Sequence, residues 1–400
     1  MLPRRAFVGG LLLAPVAAAA CGRAPSRPDV PAPVPNAWTG YDDHLTQLSK
    51  DGKFSGAVLV AKGDQRLLET GYGMADRRTG EANARDTLFC IGSMGKMFTG
   101  VAVAQLVAQR KLSFDDPIGR YVTGFPPATA NGVTVHHLLT HTSGIPDWIP
   151  EEADGESKYP IGVLMERISR EPLEFAPGAK FNYSSAGFVT LGAVIERVAD
   201  QPYDEYVREH VLAPAGMVHT AIRDFKPAEI PHMAHPYALV GPDGKPAVDG
   251  PVSDAALAGT HLEDIGTTVK LASPAGGAWS TVGDLLRFSQ ALLAHRLLDP
   301  TLTNTVLAGK VPIPGPPPPK TPPTENGGPA GPKRTPPKYA YGFLDRRPNG
   351  VRIVGHNGGT PGYEGEIDIY PDTGYTVVIL TNQDRVERPA MQESEKLLTS

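Results

Sequence analysis

Strand signals gather at the two ends of this chain and helix signals fill its middle, and that distribution limits the fold more than any other feature. Near the start, FSGAVLVAKG (54–63) and QRLLETGYG (65–73) are strand-like runs joined at Gly63 and Asp64, residues suited to a tight hairpin turn. Near the end, YAYGFLDRR, VRIVGHNG, YEGEIDIYP and YTVVILTNQ follow one another, with turns at Asn349-Gly350 and at Asp372 to Gly374, in the pattern of an antiparallel meander. Helical signals are strongest in residues 94–110, VHHLLTH, YPIGVLMERISR, SSAGFVTLGAVIERVA and TVGDLLRFSQALLAH, several of them opened by Ser or Thr. Strands at both ends around a helical middle predict an α/β (α+β) fold: one mainly antiparallel sheet flanked by helices, with a mainly helical domain inserted. The sheet is expected from residues 38–90 and 338–400, and the helical region from 91–311.

The length and the 40% hydrophobic content supply an ample core. The formal net charge of -5 is small and the basic residues are scattered, so nothing here resembles a nucleic-acid footprint. Residues 312–337, PIPGPPPPKTPPTENGGPAGPKRTPP, have too little apolar content to pack and too many prolines to join a sheet. An exposed insertion is expected there, with a polyproline ligand for some partner as the competing use.

Residues 1–20 read as a targeting segment, because Arg4 and Arg5 precede an apolar run that is short for a bilayer span. RRAFV is similar to a twin-arginine export signal, and AAAAC is similar to a lipoprotein cleavage site that makes Cys21 the lipidated first residue. Ala18 stands where such a site usually has a larger aliphatic residue, which leaves simple signal cleavage as the alternative. Either route exports the protein from a bacterial cell, to the periplasm or the cell surface, with the proline-rich stretch 22–36 as a tether. Cys90, the other cysteine, lies in the apolar run TLFCIG and is expected to be a small buried side chain, not a nucleophile.

The stretch FCIGSMGKMFTG (89–100) holds the one serine of this chain followed three residues later by a lysine. Ser93 and Lys96 are either a helix cap with a solvated lysine behind it or a nucleophile with its base. The following MFTGVAVAQLVAQ is apolar nearly all round, so the helix is expected to be buried, and its N-terminal end disfavours a positive side chain. Burial and the helix dipole both favour the neutral amine, which can accept the proton that a serine must lose to become nucleophilic.

SMGK is joined, in order, by HHLLTHTSGIPDW, FNYSSAGF, SPAGGAWSTVGDLLRF and GHNGGTPGYEG. Together these motifs resemble a penicillin-binding-protein-like serine hydrolase family related to class C β-lactamases, over about residues 40–385. The resemblance implies that Ser93 is the nucleophile, that Lys96 is its base, and that Tyr183 moves protons to the leaving group and the deacylating water. It also implies that His356, Asn357 and Gly358 form the strand element of the site, and that Gly359 offers an oxyanion N–H with that of Ser93. Ser185 stands where many β-lactamases have asparagine, and His356 where they have lysine, so both departures touch substrate recognition. The implied substrates are a small-molecule ester, a β-lactam or a D-amino-acid peptide, with no cofactor and no nucleic acid. A catalytically silent relative that binds peptidoglycan is the alternative from another class.

Two further patterns have simpler readings. His136, His137 and His141 have a spacing able to bind a metal, but no glutamate follows the first histidine as in a zinc-protease motif, and no metal is expected. Thr281 and Asp284 resemble a helix capping box.

Overall fold

The computed structural model describes residues 37–147, 160–223, 230, 232–242, 244, 259–266, 272–315 and 336–400, all within one compact unit that spans Pro33–Ser400. Among the described residues the main sheet has eight strands. They are β1 (Gly56–Lys62), β2 (Gln65–Tyr72), β3 (Val311–Pro312), β4 (Lys338–Tyr339), β5 (Leu344–Arg346), β6 (Ile353–Thr360), β7 (Tyr363–Tyr370) and β8 (Tyr375–Thr381). In space they run β2-β1-β8-β7-β6-β5-β4-β3, every neighbour antiparallel. β1 lies directly against β8, from Gly56 opposite Thr381 to Lys62 opposite Tyr375, so one sheet is indeed assembled from both ends of the chain.

Two expectations need correction at strand level. The run YAYGFLDRR makes two short strands, because Gly342 (φ +81) turns the chain between β4 and β5. The proline-rich segment is drawn into the sheet at its ends: Pro312 pairs with Lys338, and the Ile313 amide donates to Pro337. Proline tolerates such an edge position, where its missing N–H costs no ladder bond. Residues 316–335 of that segment, like the export segment and tether in 1–36, lie outside the described residues.

Strand alternation sorts the core into two layers. Ala57, Leu59, Ala61, Ile367, Ile369, Val378 and Leu380 face inward and pack with the helices of the middle region. Val58, Val60, Tyr375, Val377 and Ile379 face outward, where α1 (Ala37–Lys50) and, at the chain's end, a helix over Glu387–Thr399 cover them with Trp38, Tyr41, Leu45, Ala390, Met391 and Leu398. β1 is buried through Ala61 on both faces, which is why its sequence is a continuous apolar run and not an alternating one.

The inner layer is led by α2 (Lys96–Ala108), whose residues from Lys96 to Ala104 are all buried. A helix apolar on every side has no solvent face to present, so it is wrapped by α3 (Ser185–Ala199), by the helices over Tyr203–Val207 and Pro300–Leu307, and by Phe288 of α4 (Val282–Leu293). Phe98 and Phe288 meet edge to face at 5.1 Å between α2 and α4. The helix over Glu387–Thr399 then takes the label α5.

Candidate active site

Ser93 sits in a one-turn 3-10 helix, Gly92–Gly95, directly before α2. No side chain caps either helix start, so the capping role for Ser93 is absent. What holds the turn is close backbone packing. Gly92 has φ +47, and a Cβ there would lie 2.6 Å from the Gly359 nitrogen; a Cβ on Gly358 would lie 2.2 Å from the Ile91 carbonyl oxygen and 2.8 Å from the Ser93 nitrogen. Only glycine permits such an approach, and it brings the end of β6 onto the nucleophile turn. The Ser93 and Gly359 amides therefore border the same small space.

Lys96, the first residue of α2, is fully buried. Its Nζ donates to Ser93 Oγ at 3.0 Å, to the Ala275 carbonyl at 2.5 Å, and reaches Ser185 Oγ at 3.5 Å. Burial drives the amine down from its ordinary value to about 7, against the opposing charge of Asp147. Near neutral pH a large share of the molecules thus hold a neutral amine within hydrogen-bond distance of the serine hydroxyl.

Tyr183 lies just before α3, with its ring 4.8 Å from Lys96 Nζ. Burial pushes its phenol well up, while a hydrogen bond with Ser93 acts in the opposite direction. The segment carrying it is stitched to the HTSG stretch. The Ser184 amide donates to His141 Nδ1 at 3.0 Å, the Asn182 amide to the His141 carbonyl at 2.8 Å, and the Ser185 amide to Asp147 Oδ1 at 2.7 Å. The His141 ring lies 4.2 Å from that of Tyr183 and 4.4 Å from that of Tyr339, fixing the phenol from behind.

His356 is buried in β6, and burial together with the Lys96 charge pushes it down to about 3, so its ring is neutral. Nδ1 faces the Asn357 carbonyl and must donate; Nε2 then accepts from Tyr339 Oη at 2.9 Å. β5 pairs with β6 only over Ile353–Gly355, so from His356 onward the β6 edge beside Ser93 carries no ladder to β5. Asn357 is exposed and, by alternation, shares a face with its cross-strand neighbour Glu366, opposite the face of His356 and Gly358.

The structure thus brings Ser93, Lys96, Tyr183, Ser185, His356, Gly358 and Gly359 to one place, and leaves the Asn357 side chain at its margin. Sequence reasoning missed the Ala275 carbonyl, Tyr339, Asp147 and the packing role of His141. A backbone acceptor leaves no residue signature, but His141 and Asp147 both stood inside a quoted motif. The three histidines part company: His136 bonds Tyr341 Oη at 2.8 Å, His137 completes a capping box with Thr134, and His141 enters the core. Thr281 does cap α4, but the Asp284 carboxylate accepts from the His219 amide and from Thr220 instead of returning to the cap. Cys90 is buried, as its apolar run suggests.

The family model described as Beta-lactamase matches residues 41–398. A penicillin-binding protein of Bacillus subtilis (strain 168) is 27% identical over 88% of this chain and 74% of its own length, and Esterase EstB of Burkholderia gladioli is 34% identical over 64% and 69%. A solved penicillin-binding protein from Bacillus halodurans superposes with TM-score 0.71 at 28% identity, covering 88% of this chain and 99% of that one. The mixed fold, the ordered motifs and these matches agree, and the chain belongs to the β-lactamase family of serine hydrolases.

Proposed function

We propose that this enzyme cleaves an ester or amide bond through an acyl-enzyme on Ser93. Neutral Lys96 takes the Ser93 proton as Oγ attacks the substrate carbonyl, and the Ser93 and Gly359 N–H groups receive the developing oxyanion. Tyr183, bonded to Ser93 and beside Lys96, passes a proton to the leaving group and later helps a water attack the acyl-enzyme. His356, kept neutral by burial and oriented by Tyr339 and the Asn357 carbonyl, shapes the substrate side of the site. Ser185 takes the position next to Lys96, and Asn357 and Gly358 line the β6 edge.

The observation that carries this reading is a fully buried Lys96 with its Nζ 3.0 Å from Ser93 Oγ. A fluorophosphonate probe tests it: wild-type protein labels on one serine and Ser93→Ala does not. Absence of label on the folded wild-type chain sinks the acyl-enzyme and supports a silent relative that binds an envelope ligand. A panel of short acyl esters, a cephalosporin and a D-alanyl-D-alanine peptide then sorts the substrate classes.

We also propose export, with Cys21 as the lipidated residue of a membrane-anchored form, on the strength of the Arg4-Arg5 pair, the apolar run and AAAAC. Fractionation of cells expressing the full chain and Cys21→Ser decides between anchoring and simple cleavage. Release of the variant alone supports the anchor, and identical fractions for both remove it.

A further inference from the structure

The start of α3, beside Lys96, is held by a carboxylate. Ser185 Oγ lies 3.5 Å from Lys96 Nζ, and the Ser185 amide donates to Asp147 Oδ1 at 2.7 Å, so Asp147 is linked to the nucleophile through Ser185 and Lys96. Asp147 is exposed, unlike Lys96, His141 and His356. Its charge is felt at both Lys96 and Tyr183, and among the described residues it is the acidic group that acts on them. Anchoring the start of α3 explains the bond from Oδ1 to the Ser185 amide; a serine or threonine could serve there without a charge.

The β6 wall offers nothing to balance that charge. His356 stands where the related β-lactamases have lysine, and its two ring nitrogens are committed to the Asn357 carbonyl and Tyr339 Oη. With Lys96 neutral, as base catalysis requires, the groups around Ser93 among the described residues are an amine, two imidazoles and two phenols, all uncharged, and the Asp147 carboxylate. Among the described residues a substrate carboxylate near the scissile carbonyl meets repulsion without a counter-ion, whereas an ammonium meets a partner.

We propose that Asp147 is a specificity-determining residue that pairs with an ammonium group on the acyl part of the substrate, so that the site prefers aminoacyl esters or amides to carboxylate-bearing acyl groups. This preference rests on the Ser93 acyl-enzyme reading.

Three phenyl esters of nearly equal shape test it on the full chain: 2-aminopropanoate in both enantiomers, 2-methylpropanoate, and the methylmalonate half-ester. Asp147→Asn keeps an oxygen for the Ser185 amide and removes the charge. Comparing each kcat/KM ratio between variant and wild type divides out the intrinsic reactivity of the esters and any general effect on Lys96. The expected result is a roughly tenfold fall in the ratio of amino ester to neutral ester, with a rise in the ratio of carboxylate ester to neutral ester. Ratios that stay put, or that move in the same direction, overturn the proposal. If the variant does not fold, the wild-type protein answers through salt: the amino-to-carboxylate ratio should shrink between about 20 mM and about 0.5 M salt, and a constant ratio overturns the assignment. Failure of all three esters together with absent fluorophosphonate labelling points instead at the acyl-enzyme itself.

Discussion

The two faces of the sheet differ in the ionisable groups they bury: the bases lie on the inner face and a cluster of carboxylic acids on the outer. On the inner face burial pushes bases down: Lys96 to about 7, His356 to about 3, and His141 well below its ordinary value. On the outer face it pushes the Glu364, Asp368 and Glu387 carboxyls up. There Glu364, Glu366 and Asp368 of β7 meet Glu387 and Glu395 of α5 around Arg346, which binds Asp368 at 2.5 Å, Glu366 at 3.2 Å, and Glu395. Glu366 Oε2 and Glu387 Oε1 are buried without a hydrogen-bond partner among the described residues, and burial, followed by the charge of Glu366, holds the Glu387 carboxyl well above the usual carboxylate range. Desolvation is the leading cause on both faces, yet its outcome depends on what surrounds the group. Inside, neutrality yields a proton acceptor beside a hydroxyl. Outside, it yields an acid whose ionisation loosens the fold.

The faces therefore give stability opposite slopes against pH. Between 10.5 and about 7 the unfolded chain protonates Lys96 while the folded chain does not, so that contribution to stability rises with pH through this window. Glu387 and Asp368 are raised, so their contribution is fully present below the ordinary carboxylate range and is lost as pH climbs above it.

The sharpest break in the comparison is Lys96→Met. Catalysis should fall a thousandfold or more, on the order expected when a base and its nucleophile act as one unit, while denaturant melts at pH 7 should show stability rising by about 1–3 kcal/mol as the buried amine is removed. A destabilised variant would mean that the bond to the Ala275 carbonyl outweighs desolvation. Arg346→Met does the reverse. Leaving Glu366 and Asp368 uncompensated should cost about 3–5 kcal/mol in urea unfolding, with kcat per folded molecule unchanged because the active site lies on the other face. Tyr183→Phe keeps the ring against His141 and should lower turnover roughly a hundredfold in single-turnover assays with an activated ester; unchanged turnover would return Tyr183 to a packing role. The smallest effect belongs to Glu387→Gln, which imitates the protonated acid and can still donate to Glu366. It should add about 1 kcal/mol above neutral pH and flatten the alkaline fall in stability, and an unaltered slope would locate the liability elsewhere in the cluster.

What sequence could and could not foretell follows the same division. The site was legible because its groups sit at motif spacings: Ser93 and Lys96 one turn apart, Tyr183 before a helix with a serine cap, and His356 ahead of a glycine run. The joining of the two strand groups was legible from their placement at opposite ends. The outer layer escaped. Trp38, Tyr41 and Leu45 carry helical spacing, but α1 is a mixed helix whose identity depends on the sheet beneath it, and α5 is charged along much of its length. The acidic cluster escaped too, since alternating Glu364, Glu366 and Asp368 read locally as a solvated strand face until α5 is laid over them.

The pairing of β1 with β8 has a bearing on how the molecule comes into being. Ser55 Oγ donates to Asn382 Oδ1 across 327 residues of chain, and β1, although paired early with β2 in a local hairpin, lacks its second neighbour until β8 at Tyr375–Thr381 has been made. Such remote contacts are costly in loop closure and slow to form. During synthesis the apolar GAVLVA strand must wait with one edge open, which makes the nascent chain prone to pair with other strands. The moment at which the fold can close is therefore set by the order of synthesis and not by the local strength of β1.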